Sequence, residues 1–327
     1  MLRRDRVAAA LELRQPDRLP LGEMVITDRF ARAFLADPRT AGFPQAAPVP
    51  VSAPELAQVV QALDLDLVCL PFGVAATGGL PSPDSSHLPE ATFWTTQTDL
   101  FVFALIDGPF SQGVSALGFT EFLTLLARDR AAVARFLASA TERGRALIQA
   151  AARLGLHGIV LADDVAYDRG LFISPGLLRD LVAPTWRLLA GEAAGLGLKA
   201  VFHSDGYVMD IIPDLIEAGF SGVHSLQASS GMDIGRVKDR YGRAICLWGN
   251  LDLDLLTRGT QLEVRRVAAE TIRAAAPGGG YVFGTSGGLV EGLSVDNVVE
   301  AYRVARGTGV YPHGITALTR EDSSPGS

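Results

Sequence analysis

Carboxylates and histidines gather at a few short places in this chain, each closing an apolar run. Asp163-Asp164 ends His157–Ala162, and His203-Ser204-Asp205-Gly206 ends a run that begins at Lys199. His224 and Gln227 belong to Gly222–Leu226 and its exit, and Asn250 and Asp252 follow Arg243–Trp248. Thr285 and Ser286 follow Tyr281–Gly284, Asp107 follows Leu100–Ile106, and Glu23 and Asp28 lie around the end of Leu19–Ile26. Imidazole among carboxylates can hold a divalent cation, pair a general base with a general acid, or receive a cationic substrate. Enclosed together, Asp163 and Asp164 would raise the pKa of one of them, which suits proton transfer or metal binding. Neighbours on a strand point to opposite faces, so one of the two is expected to enter a site.

Plainer roles exist for the same residues. His203 can be a structural hydrogen-bonder, and Asp205-Gly206 can be the turn and cap that start a helix. His224 lies inside its strand, where a satisfied core histidine is the ordinary case, and His157 opens the fourth strand while His87 sits in a loop.

A short apolar run halted by polar residues reads as a buried strand. Tyr207–Gly219, with Val208, Ile211, Ile212, Leu215 and Ile216 at helical spacing before Gly219, reads as the helix that follows. This unit recurs along the chain. Strands are expected at Leu19–Ile26, Asp66–Pro71, Leu100–Ile106, His157–Ala162, Lys199–His203, Gly222–Leu226, Arg243–Trp248 and Tyr281–Gly284. Helices are expected at Arg4–Leu13, Glu55–Leu63, Thr120–Leu126, Ala131–Leu154, Val237–Tyr241, Glu263–Ala275 and Val295–Arg306, with one more running from Ser174-Pro175 through a break at Pro184. Gly73–Thr98, rich in Pro, Ser, Thr and Gly, reads as a long irregular loop.

Eight strands alternating with helices predict an α/β fold, a single-domain (β/α)8 TIM barrel over residues 1–312 with a flexible tail at 313–327. A doubly wound open sheet is the competing architecture, and the lack of a Gly-rich turn after the first strand argues against it. In the barrel, groups just past each strand converge on one mouth.

With 327 residues, 48% apolar and 20% charged, the chain has the composition of a soluble globular protein. A net charge of -7 without a basic cluster argues against nucleic-acid binding. No apolar run suits a membrane span or signal core, so a cytoplasmic location is expected. Cys69 and Cys246 lie in apolar runs and read as small buried hydrophobes, and CxxC, Walker and GxGxxG motifs are absent.

Several of these segments together resemble the uroporphyrinogen decarboxylase superfamily, which includes zinc-dependent methyltransferases that serve corrinoid proteins. They are Gln15–Pro20, Asp163-Asp164 with Ile173-Ser174-Pro175, His203–Gly206, Gly231-Met232-Asp233, Leu247–Asp252, Gly278–Tyr281 and Asp296-Asn297. The resemblance implies the barrel and an enzyme of group transfer or decarboxylation. It also has departures. Met24–Arg29 stands where the decarboxylases carry substrate-binding arginines, and Pro71-Phe72-Gly73 where they place an aspartate. Ser115–Gly118 and Thr285–Gly288 replace a tyrosine and a histidine. The methyltransferases bind zinc through His-x-Cys and a later Cys; this chain has His203, then Asp205, and Ser286-Gly287. A soft thiolate site thus becomes a harder N/O site, suited to polarising an ether, alcohol or carboxylate oxygen.

The leading expectation is methyl transfer or demethylation of a small molecule at the mouth, with His203, Asp205 and Asp164 catalytic. Glu23, Asp107, Gln227, Asn250 and Ser286 are expected to contact substrate, and His203, Asp205 and Asp163 to hold a divalent metal, zinc or another. Decarboxylation of a uroporphyrinogen-like or smaller acid is the alternative, and a catalytically silent ligand-binding barrel is a third reading. A corrinoid protein is the macromolecular partner that the resemblance implies, and a homodimer is compatible with it.

Overall fold

The computed structural model describes residues 1–36, 50–72 and 88–309. Its strands are β1 (Leu67–Pro71), β2 (Phe101–Asp107), β3 (Gly158–Ala162), β4 (Ala166–Tyr167), β5 (Gly170–Leu171), β6 (Lys199–His203), β7 (Gly222–Ser225), β8 (Cys246–Leu251) and β9 (Tyr281–Thr285). Seven of them form a parallel sheet in the order β1-β2-β3-β6-β7-β8-β9, and β4 with β5 makes a small hairpin beyond β3. Sequential parallel order with helical crossovers is the (β/α)8 pattern.

The eighth position belongs to the segment before Glu23. Pro20 O accepts from Phe283 N at 2.9 Å, Gly22 N donates to Phe283 O at 2.9 Å, and Leu21 O accepts from Asp66 N at 2.7 Å. The segment therefore bridges β9 and the entrance to β1 and closes the barrel. Here the expected strand Leu19–Ile26 is shorter, contributing single bridges at Leu21 and Ile26. Pro20 has no N–H to offer a ladder, and Gly22 lies so close to β1 that a Cβ would meet the Leu67 side chain at 2.4 Å.

The barrel interior is apolar: Phe103, Leu105, Val160, Val201, Cys246, Trp248 and Val282 form one buried cluster. Phe103 stacks on Trp248 with centroids 5.7 Å apart. Helix Arg3–Leu11 inserts Val7, Ala10 and Leu11 into that cluster, beside the strand starts at Leu67 and Phe101, and so plugs the N-terminal end. The helices cover the outside over a second, larger core.

Four helices escaped the sequence pattern: Asp28–Ala36, Leu88–Gln97, Pro109–Leu117 and Leu253–Arg258. Leu88–Gln97 replaces part of the expected loop. Its threonines return their hydroxyls to the helix, Thr95 to Ala91 O at 2.8 Å and Thr96 to Thr92 O at 2.7 Å, so a composition typical of loops is accommodated. The helix expected from Tyr207 is split into a 3₁₀ turn, Met209–Ile211, and Ile212–Ala218, and Gly219 ends it at φ 93°. Strand β8 continues through Leu251, past the expected end at Trp248, because Asn250 and Leu251 pair with Gly284 and Thr285. His87 and the tail at 313–327 lie outside the described residues, as does the rest of the expected loop before Leu88.

Candidate functional site

Strand register sets the site. Ala162 pairs with His203 and His203 with His224, so the two histidines stand side by side on neighbouring parallel strands. Beyond Ala162 the two aspartates diverge. Asp163 is fully buried; its Oδ1 accepts from Ser111 N at 2.8 Å and its Oδ2 from Trp186 Nε1 at 2.6 Å. Burial, reinforced by Asp164 and opposed by those two donors, pushes the Asp163 carboxyl up to about 7. Gly108 makes room for it, since a Cβ there would fall 2.3 Å from the aspartate's own Cβ.

Asp164 turns the other way, into the mouth, with its side chain 54% exposed. Its backbone N–H donates to Ser111 Oγ at 2.9 Å, so Ser111 positions both aspartates. Asp164 Oδ1 accepts from Asp205 N at 3.0 Å and lies 3.8 Å from His203 Nε2. Asp205 Oδ1 accepts from Ser225 Oγ at 2.9 Å. One ligand atom each from Asp164, His203 and Asp205 falls within 4.8 Å of the others.

The metal set expected from the sequence paired Asp163 with His203 and Asp205; the structure puts Asp164 beside those two and commits the Asp163 carboxylate to Ser111 and Trp186. The alternation of side chains at a strand end is the reason. The donor set fits a cation that accepts nitrogen and oxygen ligands, such as zinc. Ligands bonded at about 2.0–2.2 Å sit roughly 3–4 Å apart, so a small side-chain adjustment closes the trio.

Behind the trio, His203 Nδ1 and His224 Nδ1 are 2.8 Å apart and both rings are buried. His224 Nε2 has no hydrogen-bond partner of good geometry. Burial, and secondarily His203, holds the His224 imidazolium well below the usual histidine range, with the Thr285 backbone opposing. In front, a cavity of about 390 Å³ is bounded by Asp107, Asp164, Ser111, Ser115, Phe119 and Phe172. Its described lining contains no Lys or Arg.

The remaining expected contacts lie apart from the trio. Glu23 is buried; its carboxylate accepts from Thr285 N at 3.0 Å, from Thr285 Oγ1 at 2.6 Å and from Tyr302 OH. Burial pushes it up to about 7 against those bonds. It borders a cavity of about 240 Å³ shared with Met24, Cys69 and Leu105. Asn250 donates to Leu226 O and to Met232 O, the latter at 2.9 Å, which holds Leu226 at its positive φ of 52°. Gln227 Oε1 accepts from Gly206 N at 3.0 Å and braces the Asp205 turn. Ser286 is buried, with its N donated to Leu251 O at 2.9 Å. Ser111, Ser225 and Trp186 were not singled out by sequence, because their roles come from contacts distant along the chain.

Fold and geometry define a (β/α)8 barrel that collects its acids and histidines at the C-terminal mouth. A family model described as uroporphyrinogen decarboxylase (URO-D) matches residues 91–307, more than half of the chain, and the chain belongs to that family. A curated uroporphyrinogen decarboxylase from Magnetococcus marinus is 26% identical over 136 residues, 42% of this chain and 37% of that protein. The match thus spans little more than a third of that relative's length. Among solved structures, a methyltransferase from Methanosarcina mazei superposes with a TM-score of 0.74 at 18% identity, covering 94% of this chain and 99% of that one. A 3-keto-D-glucoside 4-epimerase from E. coli reaches 0.51 at 14% identity over 80% of this chain and 97% of its own. At these identities the likeness shows the fold alone. Among the described residues, no helix is long and apolar enough to cross a membrane.

Proposed function

We propose that this chain is an enzyme that transfers or removes a methyl group of a small molecule at the barrel mouth, with a divalent cation held by Asp164, His203 and Asp205. The observation that carries the reading is that trio, within 4.8 Å, beside the 390 Å³ cavity. When bound, the cation would act as a Lewis acid toward a substrate oxygen. The chain's own residues do the rest. Ser225 and the Asp205 N–H orient the two carboxylates, Phe119 and Phe172 offer an apolar wall, and Asp107 adds a third acid at the rim. A corrinoid protein is the proposed methyl acceptor, by likeness to the family branch that uses one.

Decarboxylation is the second reading, favoured by the curated relative's name and by Glu23 and Asp163, acids that hold a proton near pH 7. The cavity lining weighs against a polycarboxylate substrate, since carboxylates entering it would meet Asp107 and Asp164 and no described Lys or Arg. Metal analysis of chain purified without chelator, coupled to a screen of methylated ethers and amines with free cob(I)alamin as acceptor, tests the proposal. Bound metal and methyl-cobalamin formation lost in His203→Ala are expected. Turnover that survives complete metal removal would sink the metal role, and carbon dioxide release from an acid without methyl transfer would favour the second reading.

A further inference from the structure

The His203–His224 pair asks more of its protons than packing requires. A neutral imidazole carries one N–H and one bare nitrogen. With the two Nδ1 atoms 2.8 Å apart, one must donate and the other accept. His203 directs its other nitrogen, Nε2, toward Asp164 at 3.8 Å, in the cluster completed by Asp205. A cation there needs a bare Nε2, which moves the His203 proton to Nδ1 and makes His224 Nδ1 its acceptor. The single proton of His224 then sits on Nε2, a buried atom whose approach to the Thr285 backbone falls short of a well-formed hydrogen bond. A buried N–H with a poorly formed hydrogen bond is costly, and an apolar side chain at this position would avoid that cost. The ring is fully buried and packed between two others. It stands between β6 and β8 and meets Trp248 edge to face, with centroids 4.7 Å apart at 64°.

We infer that His224 is a positioning residue for metal binding: by accepting the Nδ1–H of His203 it fixes the tautomer that points the Nε2 lone pair at Asp164 and Asp205. Hydrogen-bond partners behind a ligating histidine commonly set its tautomer and basicity. A histidine in that place, held by strand register, is supplied by the barrel itself. The inference rests on the metal reading above and assigns a role to a residue that does not face the cavity.

The test is metal affinity of the full chain after chelator treatment, with Co²⁺ followed by absorbance and calorimetry and Zn²⁺ by competition. His224→Phe keeps a ring against Trp248 and removes the acceptor; it should weaken binding about 10–100-fold while leaving the circular dichroism unchanged. His224→Asn places an amide oxygen near the Nδ1 position and should recover most of the loss. In ¹⁵N-histidine spectra of the zinc-loaded wild type, His203 should show a protonated Nδ1 and His224 a protonated Nε2. Equal affinity in wild type and His224→Phe, or a His203 Nδ1 without a proton in the loaded protein, overturns the inference while leaving the metal site standing. A wild type that binds neither ion overturns both. Should His224→Phe fail to fold, the wild-type spectra still decide.

Discussion

The two ends of the barrel use aspartate in opposite ways. At the N-terminal end Asp66 is fully buried and is met by Arg6 Nη1 at 2.7 Å, by Arg18 Nη1 at 2.9 Å and by Leu21 N at 2.9 Å. Arg6 also holds Asp17, and Arg18 holds Asp64 at 3.1 Å. At the C-terminal mouth, Glu23, Asp163, Asp164 and Asp205 have hydroxyl, indole, backbone or imidazole partners, and among the described residues no Lys or Arg bridges them. Cations at one end neutralise the acids and join the closing segment to β1. Their lack at the other leaves acids that can hold protons or metal. Burial pushes the Asp66 carboxyl up even beside two guanidinium groups, so the lower cluster serves by joining three chain segments more than by raw charge attraction.

Substitutions can break or sharpen this contrast. The largest effect is expected at the lower end. Asp66→Ala strips Leu21 N of its acceptor and removes one partner each from Arg6 and Arg18, which keep Asp17 and Asp64; a loss of about 3–4 kcal/mol in urea unfolding is expected. A loss under about 1 kcal/mol would mean that the network does not hold the barrel closed. At the mouth the currency should be function. His203→Ala should cut metal affinity at least about a hundredfold, or about 2.8 kcal/mol, while costing less stability than Asp66→Ala. If the two variants unfold alike and His203→Ala still binds metal, the division between the ends is mistaken.

Glu23 gives a pH test. Its carboxyl is raised in the folded state to about 7 and stands near 4.3 when unfolded. Between those values the native chain binds more protons, so this group's contribution to stability is full below about pH 4 and declines as pH rises toward 7. Glu23→Gln should flatten that decline by an amount on the order of 2–3 kcal/mol, read from denaturation at pH 4.5 and 7.5. An unchanged slope would show that Glu23 is ionised in the folded protein across that range. The smallest effect is expected from Ser225→Ala, which releases Asp205 Oδ1 and should weaken metal binding about tenfold. Wild-type affinity would show that Asp205 needs no such support.

Much of this was legible along the chain. Six of the seven sheet strands fall on an apolar run ending in polar residues, while β1 runs out at Pro71-Phe72, and Ser294 and Gly219 mark helix ends where the sequence places them. The helix Pro109–Leu117 was hidden because its start, Gly108-Pro109, looks like a turn after a strand. Asp164, His203 and Asp205 could be nominated from strand-end position. Their grouping, and the commitment of Asp163 to Trp186 and of Asn250 to Leu226 and Met232, could not.

Periodicity and punctuation by themselves determined the alternation of strands and helices, and with it the barrel and the end at which polar groups collect, because both depend on residues near one another in sequence. Only the tertiary structure decided which carboxylate of Asp163-Asp164 faces the mouth, that His224 stands behind His203, and that Pro20–Gly22 closes the ring. Those outcomes depend on register between residues from 21 (His203 and His224) to 262 (Leu21 and Phe283) positions apart in the chain, where a shift of one residue would turn every side chain to the other face.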